Sequence, residues 1–177
     1  TNKAFIEIND ERLVDRTVGL FRDLFDEVIL ATNDPSAYPD QDVAIATDII
    51  PGKGALGGIY TGLFFARSDR AFVAPCDMPY LNRDFIAWMR DNRDNYDILV
   101  PAPPDGLQPL HAVYSRRCLP AMKKLMDDDQ LQIKRLYKRC RTVEIPQATI
   151  RSFDAPEIMF QNINSPEDLE KAQGLLS

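Results

Sequence analysis

One carboxylate lies just beyond an apolar run in the stretch RAFVAPCDMPYL, residues 70–81. The run at residues 71–74 is typical of a short buried strand, and Asp77 follows shortly after it. Pro79 cannot continue a strand ladder and restricts the residue before it, so Asp77 is expected on a short, stiff turn. A carboxylate held in this way could bind a divalent metal, although an aspartate that only forms the turn would give the same pattern.

Further polar side chains lie at or just beyond the ends of other apolar runs: Asn33, Asp48, Asn162 and Asn164. Lys3 lies just before the first apolar segment. In a doubly wound α/β sheet, ligands bind beyond the carboxyl ends of the strands, which is where these side chains are expected. Two carboxylates, several amides and one lysine at a single rim would suit a phosphate ligand together with Mg²⁺.

Each of these residues also has an ordinary structural interpretation. Asn33, in the sequence TNDP, is a common turn residue, Asp48 would serve equally as a turn former, and a single Lys3 is commonly a solvated charge. His111, the only histidine, has no Ser or Cys partner at a spacing typical of nucleophilic catalysis and is expected to be a polar residue on a strand. Cys76 is expected to be a small buried residue rather than a nucleophile.

Strand-like and helical patterns alternate along the chain. Apolar runs predict strands at residues 4–8, 27–31, 43–46, 71–74, 97–102, 110–115, 142–145 and 160–164. Helical spacing predicts helices at residues 11–25, 56–66, 116–126 and 130–139, one capped by Asn82, and a last one that begins at Ser165. This alternation predicts an α/β layer fold with a mostly parallel sheet and no second domain.

Composition limits the class of protein. The 177 residues are 45% hydrophobic and 27% charged, which is ordinary for one globular domain. A net charge of −6 argues against a nonspecific binder of nucleic acid or membrane surfaces, and no apolar run reaches transmembrane length. Cys76, Cys118 and Cys140 form no C-x-x-C pair, so a disulfide frame or zinc site is not expected and a reducing cytoplasm is the predicted location.

Taken together, the motifs identify a resemblance that covers essentially the whole chain. TNDP, DIIPGKGALGGIYTGL, APCDMPYL, QPLHAVYS and NINSPEDLEKA occur in the order seen in molybdenum cofactor guanylyltransferases. That family transfers GMP from GTP to molybdopterin-bound molybdenum, releases pyrophosphate and uses Mg²⁺. The resemblance implies a single domain over residues 1–177, with a three-layer Rossmann-like nucleotidyltransferase fold around a mostly parallel central sheet. It also implies GTP as substrate, molybdopterin as acceptor, and proteins of molybdenum cofactor synthesis and insertion as partners.

The resemblance also assigns roles at the predicted rim. Asp77 would bind Mg²⁺ and the nucleotide, and Asp48 would contact the nucleotide. Lys3 resembles the lysine that ends the family's signature loop and would meet the phosphates, so Asp77 and Lys3 are the expected catalytic residues.

The remaining amides are assigned in the same way. The family's nucleotide-contacting asparagine falls near residues 31–33; the simplest register places it at Ala31, so Asn33 would substitute for it. Asn162 and Asn164 would face the pterin phosphate or the metal.

The resemblance departs at the start of the chain. The family begins with a strand and a Leu-Ala-Gly-Gly-x-Ser-x-Arg-Met-Gly loop that wraps the nucleotide, whereas this sequence begins where that loop should end. We expect the strand and the loop upstream of residue 1, with the loop ordered by GTP and Mg²⁺.

Alternative functions stay open at this stage. A molybdenum cofactor cytidylyltransferase or a sugar-phosphate nucleotidyltransferase would share the fold, and the residues alone do not distinguish guanine from cytosine. A non-catalytic scaffold that binds the cofactor would share the rim but not the reaction.

Overall fold

Short strands and helices alternate along residues 3–176, the part of the chain that this computed structural model describes. The strands are β1 (Glu7–Ile8), β2 (Glu11–Arg12), β3 (Ile29–Ala31), β4 (Ala44–Ala46), β5 (Arg70–Val73), β6 (Ile98–Ala102), β7 (Ala112–Ser115) and β8 (Thr142–Pro146). The α-helices are α1 (Leu13–Leu24), α2 (Gly54–Phe65), α3 (Arg83–Asp91), α4 (Leu119–Asp127), α5 (Gln147–Arg151), α6 (Pro156–Met159) and α7 (Pro166–Leu175). Short 3₁₀ helices cover Lys3–Phe5, Pro35–Ala37, Arg116–Cys118 and Ile133–Lys138.

The strands form one mixed sheet and two smaller pairs. β3 and β4 pair in parallel, and β1 and β2 form a hairpin. The larger sheet has the order β5-β7-β6-β8, in which β7 is antiparallel to both neighbours while β6 and β8 are parallel. β5, β6 and β8 therefore run in one direction, and β7 departs from the predicted parallel arrangement. Its reversal follows from the short Pro-rich link at residues 103–111, because a parallel crossover needs a dozen or more residues.

The central sheet is covered by helices on both faces. Ile98 and Val100 of β6 pack in a core cluster with residues of α2 and α4, whereas Leu99 and Val113 pack with residues of α3, α5 and α6. Because side chains alternate between the two faces of a strand, the helices must lie on opposite sides of the sheet. The predicted three-layer α/β architecture is therefore confirmed.

Two predicted strands do not form as expected, while the other predicted strands are confirmed with shifts of a few residues at their ends. Residues 4–8 begin with the 3₁₀ helix Lys3–Phe5, and only β1 is extended, because Asn9 and Asp10 adopt positive φ and turn the chain into β2. Residues 160–164 join no sheet, because the segment is tied to the turn after β5 instead.

Both predicted helix starts are confirmed. The side chain of Asn82 accepts a hydrogen bond from the backbone N–H of Phe85 at 2.9 Å, so it caps α3. Ser165 caps α7, since its Oγ accepts from the backbone N–H of Asp168 at 3.2 Å. These contacts satisfy N–H groups that the first turn of a helix leaves without partners. Among residues 3–176, no helix has both the length and the apolar character needed to cross a membrane.

A wide cavity, here called the strand slot, separates β3 from β5. No strand within residues 3–176 pairs with the free edge of either one. The slot encloses about 1440 Å³, and its lining includes aromatic residues of α1 and small residues of α2: Phe21, Phe25, Ala55, Gly58 and Gly62. This volume exceeds the roughly 300–1,000 Å³ of typical small-molecule pockets. Charged residues such as Glu27, Arg70 and Arg90 also line the slot. Two strand edges that face a gap between helices leave room for one more strand.

The single histidine lies in an aromatic cage. The His111 ring is fully buried, with its centroid 5.1 Å from that of Phe72, 5.7 Å from that of Phe85 and 5.0 Å from that of Phe160. Neither ring nitrogen has a hydrogen-bond partner among the described residues, and burial lowers the pKa of His111 to about 3. A neutral imidazole packed among rings agrees with a structural role.

We expect His111→Leu to make the free energy of unfolding less sensitive to acid. The folded-state pKa of about 3 lies below the ordinary 6.5, so between these values the unfolded chain binds a proton that the native chain refuses. Stability is therefore lost as the pH falls below 6.5, by about 2 kcal/mol at pH 5. Urea unfolding of both proteins at pH 7.5 and pH 5 measures the effect, and an equal loss in both would contradict it.

Candidate active site

Three of the predicted residues meet beyond the carboxyl end of β5. The Lys3 Nζ lies 3.5 Å from the Asp77 Oδ2 and donates a hydrogen bond to the Asn164 Oδ1. The Lys3 side chain is 43% exposed and that of Asp77 is 21% exposed. Ion pairs that reach solvent to this extent typically contribute only about 0–1 kcal/mol to stability, so the fold does not depend on this contact.

The backbone explains how Asn164 reaches this point. The backbone N–H of Ile163 donates to the carbonyl oxygen of Asp77 at 2.9 Å, which ties residues 160–164 to the turn after β5. The segment has no regular secondary structure and is joined to a turn rather than to a strand. The predicted strand at residues 160–164 is wrong, but Asn164 still contacts Lys3, another of the predicted site residues.

Asn33 and Asp48 form a separate contact just beyond the carboxyl ends of β3 and β4. The Asn33 Nδ2 donates to the Asp48 Oδ2 at 2.9 Å, and the backbone N–H of Asp48 donates to the Asn33 Oδ1 at 3.2 Å. β3 and β4 are parallel with Ala31 opposite Ala46, so the residues that follow them emerge at the same end. Asn33 and Asp48 are therefore in direct contact, and each orients the other.

The start of α2 lies beside this pair. A Cβ added to Gly57 would lie only 3.0 Å from the Lys53 Cβ, so glycine permits this close approach. The same Cβ would lie at an ordinary contact distance of 3.8 Å from the Asp48 Oδ2. Lys53 itself pairs with Asp129 at 3.0 Å. The glycine-rich motif therefore brings a helix N-terminus next to Asp48, where N–H groups favour anions.

Asn162 and Cys76 stand apart from these contacts. Asn162 is exposed and makes no hydrogen bond with any residue in the described range 3–176. Burial, together with the neighbouring charge of Asp77, raises the pKa of the Cys76 thiol to about 11. The thiol is protonated at neutral pH, which agrees with a packing residue and not with a nucleophile.

A magnesium ion would have to share the site with phosphate oxygens. Residues 3–176 contain no group of three or more His, Cys, Asp or Glu side chains placed to hold a metal. Mg²⁺ commonly takes only one or two protein carboxylates and completes its shell with water and phosphate. Asp77 is the carboxylate that could take part in such a complex, and its side chain, 21% exposed, lies beside the Lys3 ammonium.

Asp168 is the residue that sequence analysis missed. Its position after Ser165 indicates only a helix start, but its Oδ2 also accepts a hydrogen bond from the backbone N–H of Asn164 at 3.0 Å. The only sequence signal at Asp168 is the pattern of a helix cap. Its hydrogen bond with Asn164 connects Asp168 to the candidate site.

Comparisons with known proteins agree with the motif order. The profile of the MobA-like NTP transferase domain matches residues 1–144. The molybdenum cofactor guanylyltransferase of Desulfosudis oleivorans is 33% identical over 176 residues, which cover 99% of this chain and 87% of that protein. The probable molybdenum cofactor guanylyltransferase of Peptoclostridium acidaminophilum is 33% identical over 177 residues, covering 96% of this chain and 80% of that protein.

Solved structures share the fold. Molybdopterin-guanine dinucleotide biosynthesis protein A from Archaeoglobus fulgidus has a TM-score of 0.85 at 22% identity, covering 99% of this chain and 91% of that one. The 2-C-methyl-D-erythritol 4-phosphate cytidylyltransferase of Thermus thermophilus has a TM-score of 0.73 at 17% identity, covering 98% and 93%. At such low sequence identity, the two structures are evidence for the fold alone. Their similarity confirms the Rossmann-like α/β fold predicted from the sequence.

Proposed function

We propose that this chain, which belongs to the MobA-like NTP transferase family and is a nucleotidyltransferase, transfers GMP from GTP to molybdenum-bound molybdopterin and releases pyrophosphate. The observation that carries the proposal is the meeting of Lys3, Asp77 and Asn164 at the carboxyl end of β5. The names of the curated relatives support GTP and molybdopterin as the substrates. A reducing cytoplasm, which suits the three free thiols, is the proposed location.

In this reaction the protein mainly has to position the two substrates and neutralise charge on the phosphates. The attacking phosphate of the acceptor is already ionised at neutral pH, so no general base is needed. Asp77 would hold Mg²⁺, which when bound neutralises charge on the phosphates. Lys3 would contact the α-phosphate or the leaving pyrophosphate, and fixed positive charge of this kind is the main contribution that enzymes make to phosphoryl-type transfer.

The other polar side chains of the candidate site divide into two pairs in this proposal, one for each substrate. Asn33 and Asp48 would contact the nucleotide, since they lie beside the start of α2 and orient each other. Asn162 would contact the acceptor with its free amide, and Asn164 would do so from its place beside Lys3.

The strand slot supports the proposal that the domain includes a strand and a glycine-rich loop ahead of residue 1. Cys76 lines the carboxyl end of the slot and packs in the same cluster as Ala4, so the chain enters the described region at the mouth of the slot. A strand parallel to β3 and β5 would end at this same mouth. Only a short loop would then be needed to connect it to Lys3, and that loop would cover the phosphates.

A panel of nucleotides tests the proposed reaction. We expect the full-length protein with Mg²⁺ to release pyrophosphate from GTP only when molybdenum-bound molybdopterin is present, with ATP, CTP and UTP giving much lower rates. Pyrophosphate release and the mass of the dinucleotide product are the measurements. A preference for CTP would indicate a cytidylyltransferase, transfer to sugar phosphates would indicate that other class, and no transfer with any pair would leave only a scaffold.

A further inference from the structure

We infer that Asp168 is a positioning residue for the proposed transfer, because its carboxylate fixes the backbone from which Asn164 holds Lys3 beside Asp77. The inference rests on the proposed function for its kinetic consequence, but the contacts that carry it are independent of the reaction.

The first step is the contact between Asp168 and the chain ahead of α7. The Asp168 Oδ2 accepts hydrogen bonds from two successive backbone N–H groups, that of Asn164 at 3.0 Å and that of Ser165 at 2.9 Å. An ordinary capping box needs only the second of these bonds. The bond to Asn164 therefore goes beyond the capping of the helix.

Hydrogen bonds on both sides of Asn164 fix the position of its side chain. Residue 163 is held on one side, since its N–H donates to the Asp77 carbonyl at 2.9 Å, and residue 164 is held on the other side by Asp168. With the backbone fixed at both points, the Asn164 Oδ1 is presented to the Lys3 ammonium. Lys3 in turn lies 3.5 Å from Asp77, so the chain of contacts from Asp168 ends at the proposed metal-binding carboxylate.

The charge of Asp168 strengthens this arrangement. The N–H of Asn164 is the largest of the groups that lower the pKa of Asp168, ahead of the contributions of Ser165 and Lys171. The carboxylate is therefore ionised at neutral pH, and hydrogen bonds to an ionised acceptor are shorter and stronger than neutral ones. Its negative charge also lies at the N-terminus of α7, where the helix dipole favours it.

Ser165 offers a matched control. Ser165→Ala removes the other half of the capping box, the bond from the Asp168 N–H to the Ser165 Oγ, but leaves Asp168 in contact with Asn164. Both Ser165→Ala and Asp168→Ala should lower the melting temperature through the start of α7. Only Asp168→Ala should release Asn164.

Steady-state kinetics of the full-length protein separate the two roles. We expect Asp168→Ala to lower kcat/KM for the acceptor-dependent reaction by about 10-fold, mainly through kcat, the range seen when a supporting contact of a site is removed. Ser165→Ala should stay within about 2-fold of the unchanged protein. Asp168→Asn keeps one acceptor oxygen and should recover most of the loss, which also covers the case in which Asp168→Ala folds poorly.

A second measurement needs no catalysis. The Lys3 ammonium, followed by ¹⁵N NMR of labelled lysine, should exchange with solvent faster in Asp168→Ala and remain unchanged in Ser165→Ala. If the unchanged protein transfers no nucleotide while this difference is still seen, the proposed function fails and the positioning role stands. Equal kinetic losses in the two alanine variants, or a Lys3 signal that Asp168→Ala leaves unaltered, would overturn the inference.

Discussion

Asp77→Asn is expected to fold normally and to lower the rate of nucleotidyl transfer by about 10²-fold or more, the scale seen when one key electrostatic group is removed. Asparagine keeps the size and the turn preference of aspartate. The bond that ties the turn to Ile163 uses the backbone carbonyl of residue 77, so it survives the change. Only the charge is lost, and with it the proposed metal ligand and the ion pair to Lys3. The measurements are kcat in saturating Mg²⁺ and the melting temperature.

Asp127→Asn serves as the matched control for this change. Asp127 is an exposed carboxylate that pairs with Lys123 on α4, outside the rim. Its substitution should leave turnover unchanged. Turnover of Asp77→Asn close to that of the unchanged protein would show that Asp77 is a turn residue with no role in metal binding.

Lys3→Met should lower kcat/KM for GTP by about 10- to 100-fold with little change in stability, because it removes one positive charge next to the proposed phosphates. Methionine preserves much of the length of the side chain, and the ammonium is too exposed for its ion pair to matter much to folding. Lys3→Arg, which keeps the charge, should retain part of the activity. Kinetics and calorimetric titration with GTP and Mg²⁺ give the two readouts.

The double variant tests whether the two residues act together. Since Lys3 and Asp77 lie 3.5 Å apart, their effects should not add, and the loss in the double variant should be smaller than the product of the single losses. Lys123→Met, on the exposed α4 pair, provides the control for loss of a surface ammonium. Unchanged GTP titration and kinetics in Lys3→Met would remove Lys3 from the proposed site.

Part of the candidate site could be predicted because turn-forming residues mark where strands end. Prolines around Asp77 mark the end of β5, and polar residues follow both β3 and β4. The positions of Asn33 and Asp48 just beyond these strands could therefore be predicted from the sequence. The capping pattern at Ser165 likewise fixed the start of α7. Each of these signals lies within a few neighbouring residues, where local sterics and hydrogen bonding decide the backbone.

Pairings across the chain were not readable in the same way. Lys3 and Asn164 are 161 positions apart, and no periodicity or turn signal links them. The apolar run at residues 160–164 predicts a strand, yet the segment joins no sheet and is tied by one hydrogen bond to the turn after β5. By contrast, the antiparallel direction of β7 could have been predicted from the sequence. Only nine residues link β6 to β7, which is too few for a parallel crossover.

The strand slot also bears on how the chain behaves among its own copies. Within residues 3–176, β3 and β5 each have one edge that pairs with no other strand, and both strands line the slot. Such edges are templates on which an extended segment of another molecule can add, the first step of domain exchange and of ordered aggregation. A strand that fills the slot would pair with both edges at once. It would thus protect the chain from aggregation as well as complete the sheet. Solubility at high concentration would therefore depend on that occupancy as well as on the net charge of the surface.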